Sequence, residues 1–251
     1  MPIFISLVGV TFLCLVGLLL AVNRVTNLFK ERALTVRNKP PRAGFEVMSF
    51  TGDLITLRDL GSQILSPYPK LVGLSWDGGY AQMGQVVEVN GMDHTRTFTL
   101  LDGMLSVGLQ TRIDYGAFPG DPGRAHGIEF EDALFESPVG QFEAWYVDGS
   151  GPIWVIFVHG HRTGPAESLR ILPLMVSLDL PSFAIRYRND YGAPHDESEF
   201  HRFGLTEWED LEAAVKYGVD HGAEQFVLVG YSMGGSIVMN FLYKSDFASR
   251  I

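Results

Sequence analysis

The sequence of 251 residues has a single cysteine, Cys14. That excludes an intrachain disulfide and any cysteine-based metal site, and it accords with a reducing compartment. Internal repeats and low-complexity tracts are missing, so a solenoid or propeller array is excluded. Glycine and proline are frequent but follow no period, which excludes fibrous and disordered classes. Charge is absent from residues 1–22. Positive charge is scarce after residue 45, where 13 basic residues face 28 acidic ones. So acidic a surface repels phosphates and argues against a nucleic-acid partner. A further absence bears on chemistry: beyond Ser232 there is no histidine, and Asp246 is the only acid.

What the amino terminus does contain is an apolar run, Ile3 to Val22, twenty residues long. At a helical rise of about 1.5 Å per residue it spans roughly 30 Å, the thickness of a bilayer core. Nothing basic precedes the run, it is longer than a signal-peptide core, and Thr11-Phe12-Leu13-Cys14 lacks the small residue that lipoprotein processing needs. The expectation is a retained transmembrane helix over 1–22, attaching the chain to a membrane through residues 3–22. Residues 23–45 follow as a basic juxtamembrane linker, with Arg24, Lys30, Arg32, Arg37, Lys39 and Arg42 against Glu31 alone. Basic flanks favour the cytoplasmic side, so a single-pass protein with its soluble part in the cytoplasm is expected. Arg37 to Gly44, with Pro40 and Pro41, reads as an extended tether.

Residues 46–125 alternate in short apolar and polar runs separated by turn residues, which predicts a small β-rich accessory region. From 126 the pattern changes. A hairpin is predicted over 127–149 and buried strands over 153–158, 182–187 and 226–229. Helices are predicted over 168–180 and 206–222, the second with Thr206 as cap, Glu209 closing a capping box and Gly222 as stop. Strands alternating with helices predict an α/β domain over 126–251, with a mostly parallel sheet and crossover helices.

Within that domain, Gly230-Tyr231-Ser232-Met233-Gly234 lies between an apolar strand and a helix-like run. Gly-x-Ser-x-Gly at such a turn is the nucleophile elbow: the turn strains the serine backbone, and its glycines let strand and helix pass. A plain serine in a tight glycine turn is the bland alternative. A second motif, His159-Gly160, directly follows the apolar run Ile153–Val158. With both motifs in this order, residues 127–251 resemble the α/β-hydrolase superfamily, in its esterase, lipase and peptidase-like branches. The resemblance implies Ser232 as nucleophile, with the backbone N–H groups of His161 and Met233 as oxyanion donors. It implies that His159, Gly160, Gly230 and Gly234 structure the loops.

Chain order in that superfamily is nucleophile, acid, histidine, so neither His159 nor His161 is cast as base, and Asp246 is a poor candidate for the acid. The fold is therefore expected to be incomplete, with acid and histidine beyond Ile251 and the chain inactive by itself. No cofactor or metal is implied; the run His195–Glu199 reads as a solvated loop, its spacing matching no standard metal site. The expected activity is a membrane-anchored serine hydrolase acting on a small or lipid-like ester, thioester or amide. An acyltransferase on the same elbow, or a catalytically dead binding scaffold, are the alternatives.

Overall fold

A computed structural model describes residues 2–36, 43–61 and 71–251, with side chains from residue 12. Helix α1 runs Pro2–Phe29 and continues as a π-helical turn, Lys30–Leu34. Its described side chains are almost all exposed, Leu13 and Leu19 by 69% and 68%. Phe12–Leu34 is long and apolar enough to cross a membrane. The linker expected from residue 23 is thus helical as far as Leu34, because Val25, Leu28 and Phe29 extend the apolar surface and Lys30, Glu31 and Arg32 are good helix formers. Extended backbone begins only at Thr35. Most of the expected tether, 37–42, lies outside the described residues.

Six antiparallel strands follow: β1 (Phe45–Thr51), β2 (Leu54–Asp59), β3 (Val72–Trp76), β4 (Gly79–Asn90), β5 (Asp93–Asp102) and β6 (Gln110–Asp114). They close into a barrel in the order β1-β2-β5-β4-β3-β6. Alternating inward residues fill it, among them Phe45, Val47, Ile55, Leu57, Leu74 and Met83, all fully buried. Closure depends on β6, which pairs with both β1 and β3 and whose short sequence carries little alternation. Residues 62–70 of the expected β-rich region lie outside the described residues.

A loop with the short helix α2 (Pro122–His126), capped by Asp121 accepting from the Arg124 amide at 2.9 Å, leads to the second sheet. Its strands are β7 (Glu131–Ser137), β8 (Gly140–Val147), β9 (Ile153–Val158), β10 (Ser182–Ile185) and β11 (Gln225–Gly230), in the order β11-β9-β10-β8-β7. β9 runs parallel to β10 and β11, while β8 is antiparallel to β10 and β7. The sheet is therefore mixed, not mostly parallel as expected, because the β7–β8 hairpin joins it directly. β11 is flanked only by β9 among the described residues, so Val227 is 46% exposed where a buried strand was expected.

Helices α3 (Leu172–Ser177), α4 (Trp208–Asp220) and α5 (Met233–Lys244) pack on this sheet. The helix expected over 168–180 is instead a 3₁₀ segment, Pro165–Arg170, followed by the short α3, with Pro173 in its first turn. The Thr206 capping box does not form. Glu207 occupies the cap position, and its carboxylate turns back to accept the amides of Arg202 (2.6 Å) and Gly204 (2.9 Å). Gly218 of α4 lets the Phe226 ring approach to where a Cβ would stand 2.6 Å from it.

Candidate active site

The turn from β11 into α5 carries Ser232 at φ 48°, ψ −110°. This is a sparsely populated conformation for a residue with a side chain, held only where the surroundings over-determine it. They do. A Cβ on Gly234 would stand 2.0 Å from the Val158 carbonyl oxygen of β9, and one on Gly230 would stand 2.6 Å from the Gly235 nitrogen. The Gly234 amide donates to the Tyr231 carbonyl at 2.7 Å and the Tyr231 amide to the Val158 carbonyl at 2.9 Å. The serine is left exposed at the start of α5.

The His159–Thr163 loop lies beside it: a Cβ on Gly160 would be 3.4 Å from Ser232 Cβ. Its key feature is the Gly160 carbonyl oxygen, which accepts from His159 Nδ1 (2.8 Å), Thr163 Oγ1 (2.9 Å) and the Tyr187 hydroxyl (3.1 Å). The Gly160 amide donates to Glu167 Oε2 at 2.7 Å, and Thr163 Oγ1, whose one proton serves either this oxygen or the Gly160 carbonyl, lies 2.9 Å from it. A trans peptide is planar, with C=O and N–H pointing opposite ways. The groups gathered on the Gly160 oxygen therefore turn the His161 N–H away from them. Neither that N–H nor the Met233 N–H donates to a described residue. Both amides belong to turns that border the exposed serine.

His159 is the buried centre of this arrangement. Its ring stacks on Tyr187 with centroids 4.3 Å apart, and Nε2 lies 2.6 Å from Asp190 Oδ2, both side chains being almost wholly buried. Burial by itself would disfavour the charged imidazolium, but the Asp190 carboxylate outweighs it, and the His159 pKa is raised. Nδ1 faces the Gly160 carbonyl and Nε2 faces the Asp190 carboxylate. Tyr187, buried and donating to the carbonyls of His159 and Gly160, has its pKa pushed well up, first by desolvation.

The stretch Tyr187-Arg188-Asn189-Asp190 therefore matters more than its sequence suggested. Tyr187 and Asp190 fix the loop. Arg188 is buried and forks onto Asp210 Oδ1 and Oδ2 at 2.9 Å each, with Glu209 Oε2 at 2.9 Å. Asn189, at φ 67°, ties the Phe200 carbonyl and the Asp196 amide to the loop. The stretch's place at the carboxyl end of the strand over 182–187, where open α/β sheets bind ligands, is the signal the sequence carries for it. Asp196, in the loop expected to be solvated, has its carboxylate engaged by Ser198.

His161, half-buried, meets His201 edge-on at 4.7 Å and Phe203 at 5.4 Å. Desolvation first, then His201 and Arg162, lower its pKa to about 4, so the ring is neutral near pH 7. A cavity of about 650 Å³ opens beside this loop towards the barrel, with Ser75, Arg112, His161, Arg162, Glu167 and Arg186 in its walls. Among the described residues no group of three or more His, Cys, Asp or Glu side chains is placed to hold a metal ion. No described side chain hydrogen-bonds to Ser232 Oγ. Asp246 begins the short 3₁₀ segment after α5.

No protein-family model matches the chain, and no curated protein matches its sequence. Solved structures do. An esterase of Pyrococcus furiosus aligns with 53% of this chain and 52% of its own, at 18% identity and a TM-score of 0.46. An epoxide hydrolase from an endophytic Streptomyces aligns at 24% identity and TM-score 0.38, over 46% of this chain and 33% of its own. An α/β hydrolase of Novosphingobium aromaticivorans aligns at 22% and 0.38, over 49% and 42%. The chain spans between a third and just over half of the length of these structures.

Proposed function

We propose that this chain carries the nucleophile and oxyanion hole of a membrane-anchored serine hydrolase acting on an ester, thioester or amide. The observation that supports it most is Ser232 at φ 48°, between Gly230 and Gly234, each packed too closely against backbone to carry a Cβ. In this reading Ser232 Oγ attacks the acyl carbon and gives its proton to a general base. The carbonyl oxygen, now negative, takes the N–H groups of His161 and Met233. Collapse breaks the bond to the leaving group, which departs with the proton, and water then releases the acyl group from Ser232 by the same path. The neighbouring cavity, at about 650 Å³, suits a small-molecule substrate.

The general base, like the acid that would orient it, is a role for which no described side chain is placed at Ser232. The test supplies it from solution. The purified chain is treated with a fluorophosphonate in rising imidazole and digested for mass spectrometry. The reading expects an adduct on the Ser232 peptide that grows with imidazole and vanishes in Ser232→Ala. Adducts spread over other serines, or none at any imidazole concentration, would leave Ser232 a strained turn residue without chemistry.

A further inference from the structure

The π-helical turn after α1 does not hang free; it is stitched to the rim of the candidate site. The Leu34 carbonyl accepts from the His201 amide at 2.8 Å, and the Val36 amide donates to the Glu199 carbonyl at 3.3 Å. Thr35 and Phe200 form an antiparallel bridge. Arg162 Nη2, one residue beyond the oxyanion donor, donates to the Thr35 carbonyl at 3.1 Å. Lys30 Nζ sits 5.0 Å above the Phe200 ring. The rim strip then continues over the nucleophile's helix: Ser236 Oγ donates to the Phe203 carbonyl at 2.7 Å, one turn after Ser232.

The rim is therefore held at the end of the one helix among the described residues that is long and apolar enough to cross a bilayer, since Leu34 is also the last residue of that candidate span. Leu34 lies five residues past Phe29, about 7 Å along a helical axis. Apolar side chains stand exposed on both partners: Leu28 and Phe29 on the helix, and Phe203, Leu205 and Tyr191 on the rim, with Leu205 and Tyr191 at 62% and 64%. Exposed Lys30 and Arg32 between them match anionic headgroups. Apolar residues bordered by basic ones at a helix end are the composition of a surface lying on lipid.

We propose that residues 30–36 form a wall of the candidate site and hold its rim, Tyr191 to Leu205, against the lipid surface. Resting on the Ser232 reading, the site then takes an ester borne in the lipid layer. Geometry is tested without any catalysis. Leu205→Cys and Leu178→Cys are made in a Cys14→Ser chain, labelled with a fluorophore and reconstituted in vesicles holding lipid spin-labelled at the headgroup. Leu178 is 57% exposed at the opposite end of the sheet, a strand length or roughly 20 Å away. The proposal expects at least two-fold stronger quenching at 205 than at 178. A ten-residue Gly/Ser insertion between Phe29 and Lys30 should abolish the difference.

Equal quenching at both sites, or a chain that does not float with vesicles, overturns the proposal. A difference that survives the insertion overturns the role given to residues 30–36. The substrate class has its own arm: with imidazole present, a dodecyl fluorophosphonate in the vesicles should label Ser232 several-fold faster than a methyl one in solution, and the insertion should remove that advantage. Equal rates overturn the lipid-borne substrate. If neither probe labels, the Ser232 reading has failed while the quenching result still decides the docking.

Discussion

Ser232 is held by sterics, and sterics are what a sequence motif records most directly. Gly234→Ala would place its methyl group against the Val158 carbonyl, backbone on backbone, with no flexible side chain to yield. The expected cost is about 3 kcal/mol of stability, the upper end for overpacking, read as a lower urea midpoint with unchanged slope. The same logic makes Gly230, Ser232 and Gly234 legible in the amino-acid sequence alone. Tyr187 and Asp190 are not, because their roles exist only once β9 and β10 stand side by side and bring them to His159. His161 offers a second residue-scale test. Its pKa of about 4 lies below the ordinary value, so between pH 4 and 6.5 the unfolded chain binds more protons. Its contribution is complete above pH 6.5 and is lost as pH falls through that window. Its neighbours are His201, Arg162, Asp190 and the Ala33 backbone. His159, raised, acts with the opposite sign and only as pH climbs above 6.5. His161→Gln is therefore expected to flatten the acid limb of a stability-versus-pH curve measured by urea unfolding, and an unchanged limb would contradict the assignment.

Between elements, the decisive contact is the buried fork of Arg188 onto Asp210, which fastens the end of β10 to the first turn of α4. Asp210 also takes the Arg188 amide at 2.9 Å and the Ser137 hydroxyl of β7, so one carboxylate gathers three parts of the sheet domain. Removing it leaves a guanidinium that is only 5% exposed with the single, partly exposed carboxylate of Glu209. Asp210→Ala should then cost about 3–5 kcal/mol, a loss visible in thermal unfolding, whereas Glu209→Ala, on a partly exposed carboxylate, should cost under about 1 kcal/mol. Equal losses would show that the fork is not what holds α4. Element boundaries expose the limits of pattern reading here. The existence of α4 follows from its apolar period, yet Thr206 was a plausible cap only because local spacing cannot reveal that Glu207 would fold back onto 202–204. The same holds for β10 pairing with β8, a long-range choice that turned an expected parallel sheet into a mixed one.

For the molecule as a whole, the barrel and the sheet domain fill themselves separately. The barrel core draws on β1 to β6 and their loops, and the two clusters flanking the second sheet draw on residues from 118 onward. Among the described residues, polar contacts join them: Arg170 Nη2 donates to the carbonyls of Leu71 and Tyr115, Gln82 donates to the Ala117 carbonyl, and Arg124 pairs with Asp102. Hydrogen bonds of this kind contribute about 1 kcal/mol each, too little to force two apolar cores into one cooperative transition. Calorimetry of the chain in detergent should accordingly resolve two unfolding events. Leu74→Ala, emptying a fully buried position in the barrel, should lower one of them by about 2–5 kcal/mol and leave the other in place. The adduct yield at Ser232 should be unchanged at temperatures below both transitions. A single transition moved as a unit by Leu74→Ala would mean that the polar seam couples the two bodies, and the barrel would then have to be counted among the supports of the site.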